Sequence, residues 1–109
     1  MQTVVELPHF TRKARALLTA EEIVHLINYL AEDPEAGDLM EGTGGIRKLR
    51  WARAGMGKRG GARVIYFFHS ERIPLYLLTI FGKNEQSNLS QAERNTLRAL
   101  VERLVAASR

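Results

Sequence analysis

The sequence predicts an α+β domain: a helical hairpin and a C-terminal helix packed on a small antiparallel β-sheet. Three observations lead there. Two amphipathic segments follow one another between His9 and Ala31. Three β-prone runs then occur in succession, Ile46–Ala52, Ala62–His69 and Leu75–Phe81. A last amphipathic segment follows Ser90. The expected order is β-α-α-β-β-β-α, with the helices on one face of the sheet. At 109 residues and 45% hydrophobic content, residues 1–109 suit a single domain with a real core.

Thr3 to Leu7 is short and β-prone, and Pro8 closes it, which gives a first or edge strand. Phe10, Ala14, Leu17 and Leu18 recur at i, i+4, i+7 and i+8, one face of a helix. Thr19 followed by Glu22 is a capping box, so a second helix starts there with Ile23, Val24, Ile27, Leu30 and Ala31 in its apolar stripe. Pro34 disfavours helical geometry at Asp33 and ends it. Residues 34–45 read as a polar, Gly-rich connection.

In Ile46–Ala52, alternation puts Leu49 and Trp51 on a face with Arg47, and Lys48 and Arg50 on the other. Residues 53–61 are expected to form a loop. In the next strand, Arg63, Ile65 and Phe67 oppose Val64, Tyr66 and Phe68. Leu75–Phe81 is almost wholly apolar, as befits a strand buried on both faces. Gly82 breaks it, and Ser90 with Glu93 forms a second capping box opening a helix of roughly four turns.

Charge is the strongest functional signal. The net charge is +4, but Gly42–Phe68 alone carries seven basic side chains: Arg47, Lys48, Arg50, Arg53, Lys58, Arg59 and Arg63. No Asp or Glu lies between Glu41 and Glu71, whereas residues 1–41 hold three basic and eight acidic side chains, net −5. A positive surface opposite an acidic end favours orienting on a polyanion such as a phosphate backbone. The competing reading is a solvated charged surface. Against it stands the mutual repulsion of seven cations with no carboxylate nearby in sequence.

Several chemistries fall away. Without cysteine there are no disulfides or thiolate metal sites, and His9, His25 and His69 lack ligand spacing, so no metal or cofactor is expected. No apolar run approaches membrane-spanning length and no signal pattern opens the chain, so a cytoplasmic protein without membrane association is expected. Residues 55–60 match G-x-G-x-x-G, but strands on both sides exclude a dinucleotide fold, and Arg59 after Lys58 excludes a Walker loop. Trp51 could stack on a base, but its alternation with Leu49 favours core packing. His69, at a strand end, is left as a possible general base. Lys83, just past Gly82, could join Lys48 and Arg63 over one sheet surface.

IRKLRWA, GMGKRGGARVIYFF and LLTIFGKNEQSNLS, in that order, resemble the RelE-like toxin superfamily, in particular its HigB-like branch. The resemblance runs from about Leu7 to Leu104. It implies a microbial-ribonuclease-like fold and a type II toxin neutralised by a cognate antitoxin, in a possible hetero-oligomer. The implied activity is metal-independent cleavage of mRNA in the ribosomal A site: the ribose 2′-OH attacks the adjacent phosphate, leaving a 2′,3′-cyclic phosphate and a 5′-OH. Basic family positions map onto Lys48, Arg50, Arg63 and Lys83 as catalytic residues. Arg63 is the expected clamp on the reacting phosphate. Arg47, Arg53, Lys58 and Arg59 are expected RNA contacts. A Lys crowded by cations can lose its proton more readily, which makes Lys48 or Lys83 the candidate base. The Tyr or His that several relatives carry near the C-terminus is missing, since neither residue occurs after Tyr76. The competing functions are a ParE-like gyrase inhibitor without nuclease activity and an RNA-binding module without chemistry.

Overall fold

A computed structural model describes residues 1–53 and 57–108, and at 53 and 57–60 the backbone only. The chain runs β1 (Val4–Glu6), α1 (Pro8–Leu17), α2 (Ala20–Glu32), β2 (Asp38–Leu39), β3 (Ile46–Arg53), β4 (Gly57–Phe67), β5 (Leu75–Gly82), α3 (Gln91–Ala107). The five strands form one sheet in the order β1-β5-β4-β3-β2. β2 to β5 pair antiparallel, while β1 runs parallel to β5.

The helix starts follow from local chemistry. Pro8 occupies the first turn of α1, where its missing N–H has no intrahelical partner to lose. Both expected capping boxes are formed: Thr19 accepts from Glu22 N–H at 3.1 Å, and Ser90 from Glu93 N–H at 3.1 Å. In each, the Glu carboxylate reaches back to the cap's own N–H at 2.8 Å.

One expectation is corrected. The helices cover both faces of the sheet. α1 and α2 bury Phe10, Ala14, Leu18, Leu26 and Leu30 against Val64, Tyr66, Leu75, Leu77 and Ile80. α3 lies on the opposite face, where Val101 and the half-buried Leu97, Leu100 and Leu104 meet Ile46, Ile65, Phe67, Leu78 and Phe81. The reason is visible in β4, whose residues from Gly61 to Phe67 are all buried, apolar on both faces except for Arg63. A sheet apolar on both sides needs a layer on each.

Two other differences are local. β2, only two residues, lies within the expected connection and pairs with Arg47 and Lys48. β4 begins at Gly57, inside the expected loop, and Arg53 pairs with Gly57. β5 also holds one extra residue: Ile65 pairs with Thr79 and Tyr66 with Leu77, so Leu78 is a bulge.

Two ties hold the connections. The Tyr66 hydroxyl, fully buried, accepts from Gly37 N–H and donates to the Pro34 carbonyl, both at 2.8 Å. In the turn before β3, Gly42, Gly44 and Gly45 have positive φ, and the Thr43 hydroxyl accepts from Ile46 N–H at 3.1 Å.

Candidate nucleic-acid interface

On the α3 face of the sheet, Ile46, Ile65, Phe67, Leu78 and Phe81 pack with α3. Beside Ile65 and Phe81 on that face the register gathers the basic side chains. Arg50 on β3 stands directly opposite Arg63 on β4, and Arg63 is opposite Phe81 on β5. Lys48 lies two residues before Arg50 on the same side. Lys83 follows two residues after Phe81, and its N–H donates to the Gly61 carbonyl at 3.1 Å, continuing the β4–β5 ladder. Lys48, Arg50 and Arg63 thus share one face of β3 and β4, and Lys83 opens the turn directly after β5 beside them. The backbone register puts the four residues expected to be catalytic in one region of the sheet.

They differ in exposure. Arg50 and Lys83 are exposed, Lys48 is half-buried, and Arg63 retains only 8% of its surface. A pocket of about 240 Å³ is lined by Arg50, Trp51, Ala52, Gly61 and Arg63, so both arginines border one recess. Burial first, and then the Arg50 charge, hold the Arg63 pKa below the ordinary arginine value. Arg63 donates to the neighbouring Ala62 carbonyl at 3.4 Å. None of Lys48, Arg50, Arg63 and Lys83 forms an ion pair with a carboxylate among the described residues. A partly desolvated cation beside a like charge is arranged to receive an anion.

Arg47 is placed elsewhere. It faces the α1–α2 side, where its guanidinium donates to the Gly37 carbonyl at 2.8 Å and the Glu35 carbonyl at 3.2 Å. It also pairs with the Glu35 carboxylate at 3.4 Å. Its carboxylate partner comes from before the basic stretch. The side chains of Arg53, Lys58 and Arg59 lie outside the described residues.

Trp51 lines the recess with Arg50 and Arg63, but its ring contacts lie on the opposite side of β3. Trp51 packs between His25, edge-on at 5.3 Å, and Tyr29, tilted at 5.5 Å, so it belongs to the α2 side. His69 stacks on Phe67 at 6.0 Å. It lies six residues beyond Arg63, roughly 20 Å along the strand direction. Among the described residues no three His, Asp or Glu side chains gather as a metal site, and no helix is long and apolar enough to cross a membrane.

The β5–α3 segment adds polar residues to which the sequence reading assigned no role. The Asn88 side-chain oxygen accepts from Lys48 Nζ at 3.4 Å and from Leu89 N–H at 2.9 Å. Gln86 Nε2 donates to the Asn88 carbonyl at 2.9 Å and to the Glu93 carboxylate at 3.2 Å. The Ser90 backbone N–H is the main reason the Glu93 carboxyl is held below its usual range. The available signal was the run of Asn, Gln and Ser directly after a mapped cation, Lys83.

A family description, "RelE toxin of RelE / RelB toxin-antitoxin system", matches residues 3–109. The fold is similar to a free-state structure of a double mutant of the E. coli toxin RelE. That match has 16% identity and a TM-score of 0.58, and covers 79% of this chain and 87% of the other. At that identity the likeness concerns the fold: five strands and three helices arranged as in RelE. With nearly its whole length matched, and with the toxin fold around its basic face, the chain belongs to the RelE toxin family.

Proposed function

We propose that this chain is a HigB-like, ribosome-dependent mRNA endonuclease: the toxin of a type II pair, acting in the cytoplasm and neutralised by a cognate antitoxin. The observation that carries the reading is the gathering of Lys48, Arg50, Arg63 and Lys83 at the Arg63 end of the α3 face, with Arg50 and Arg63 bordering one recess.

In this reading the RNA backbone lies across that face, with the scissile phosphate against Arg63 and Arg50. The ribose 2′-oxygen forms a bond to phosphorus as the bond to the 5′-oxygen breaks. The products are a 2′,3′-cyclic phosphate and a free 5′-OH. Negative charge builds on the non-bridging oxygens during attack, and fixed guanidinium groups stabilise it more in the transition state than in the ground state. Lys48 and Lys83 flank the pair and are the groups positioned to take the 2′-OH proton and return one to the leaving oxygen. His69 lies too far away to serve. An antitoxin suited to this toxin carries acidic residues over the basic face, a helix-docking segment, or both.

The test is 5′-end mapping of transcripts shortly after induction of the wild type and of Arg63→Ala in a bacterium. Cuts inside translated codons, present in the wild type and absent in the variant, are expected. Growth arrest with intact transcripts and accumulating cleaved DNA would instead identify a gyrase-directed toxin. Intact transcripts together with retained ribosome binding would leave a binding module without chemistry.

A further inference from the structure

Among the described residues, Lys48 is the member of the cation cluster whose ammonium donates to a side chain outside the sheet, at 3.4 Å. Its acceptor is the neutral amide oxygen of Asn88, so the contact orients the ammonium without neutralising it. Asn88 is itself fixed from two directions. Its side-chain oxygen accepts from Leu89 N–H at 2.9 Å, and its carbonyl accepts from Gln86 Nε2 at 2.9 Å. Gln86 is anchored in turn to Glu93, whose carboxylate also accepts from Ser90 N–H at 2.8 Å at the start of α3. A continuous chain of hydrogen bonds therefore runs from the capping box of α3 to a cation on β3. Lysine carries a long, mobile stem, and restricting it toward one position is how a neighbour raises its contribution to a reaction.

We infer that Asn88, braced by Gln86 and Glu93, is a positioning residue for Lys48 in RNA cleavage. This rests on the endonuclease reading above, and it adds residues outside the basic set. Asn88 acts through Lys48, so its contribution vanishes when Lys48 is absent. A residue that merely supported the fold of the β5–α3 segment would matter equally with or without Lys48.

The experiment has two arms. The first needs no RNA: ¹⁵N relaxation of the Lys48 ammonium in the isolated wild type and in Asn88→Ala. The ammonium is expected to be more ordered in the wild type, and equal mobility in the two overturns the inference. The second arm measures single-turnover cleavage of ribosome-bound mRNA, and ribosome affinity, for the wild type, Asn88→Ala, Lys48→Ala and the double variant. Asn88→Ala should slow cleavage by roughly 5- to 10-fold, the scale of one hydrogen bond to a charged group at a partly open site, with affinity changed less than about twofold. Lys48→Ala should slow it by roughly 100-fold, and Asn88→Ala should add nothing in that background. Equal slowing in both backgrounds overturns the positioning role, as does a Lys48→Ala protein that cleaves normally. A wild type that leaves mRNA intact overturns the endonuclease reading and the role in cleavage with it. The first arm then shows separately whether the Lys48–Asn88 contact exists.

Discussion

Replacing Arg63 by methionine should stabilise the protein while removing its activity. Arg63 is nearly covered and stands directly opposite Arg50 in the β3–β4 register. From Cβ atoms roughly 5 Å apart, splayed guanidinium groups place their charges about 7 Å from one another. Coulomb repulsion at that separation runs from roughly 0.6 kcal/mol in a water-like medium to about 2.4 kcal/mol at the effective dielectric of a protein surface. Screening at 0.15 M salt leaves about 40% of this, so roughly 0.3–1 kcal/mol is at stake, in line with like charges opposed across a ladder. Methionine fills a similar volume, adds no charge and gives up only the 3.4 Å contact to the Ala62 carbonyl. Urea unfolding at low and high salt measures both parts of the argument. Arg63→Met should raise the unfolding free energy by about 0.5–2 kcal/mol at low salt, and the gain should shrink toward roughly 0.3–1 kcal/mol at 0.15 M. Inorganic phosphate should stabilise the wild type more than the variant. A variant less stable than the wild type at every salt concentration would refute the idea that the cation pair is held at a cost to the fold.

Other outcomes follow from the same geometry. Tyr66→Phe leaves the Gly37 N–H and Pro34 carbonyl without their buried partner and should cost about 2–3 kcal/mol by urea unfolding. Gly45→Ala should cost about 2 kcal/mol or more, because φ is +124° and the new Cβ would lie 2.9 Å from Phe67 Cε1 and 3.0 Å from the Phe68 carbonyl oxygen. Glu93 has a lowered pKa, so its contribution is present above the ordinary value of 4.5 and is lost as pH falls through the lower folded value. Stability of the wild type should therefore drop, as pH falls below the ordinary value of 4.5, by more than that of Glu93→Gln, read by thermal melts over an acid series.

How much of this was legible in the sequence depends on the range of the interaction. Thr19 with Glu22 and Ser90 with Glu93 announce their helices because capping is settled within four residues. The alternation in β3 and β4 correctly separated Arg47 from Lys48 and Arg50, and placed Arg63 with Ile65 and Phe67, because a strand repeats every two residues. What escaped is set by distant neighbours. That Arg47 pairs with Glu35 depends on how the connection after α2 folds over β3. The docking of α3 opposite α1 and α2 depends on which sheet face remained uncovered, and no helix periodicity encodes that. Asn88 was hidden for the same reason, since its contact with Lys48 spans 40 positions.

The extra residue in β5 has a consequence for inheritance of the site. Leu75 and Leu77 face α1 and α2, and strict alternation from them would send Phe81 and Lys83 to that same side. Because Leu78 is additional, Ile80 takes the α1–α2 side instead and Phe81 the α3 side, with Lys83 in step behind it. One residue's worth of counting therefore decides whether the third strand contributes a cation to the cluster at all. Substitutions along β5 can vary widely in chemistry and leave that assignment intact. Deleting Leu78 would leave a regular strand in which Ile80, Phe81 and Lys83 keep their present sides, whereas pairing Leu78 into the ladder with no residue left over would invert everything downstream, sending Lys83 toward α1 and Ile80 toward the cations. For this strand the extra residue must either stay bulged out or be absent, and what the site cannot survive is its entry into the ladder.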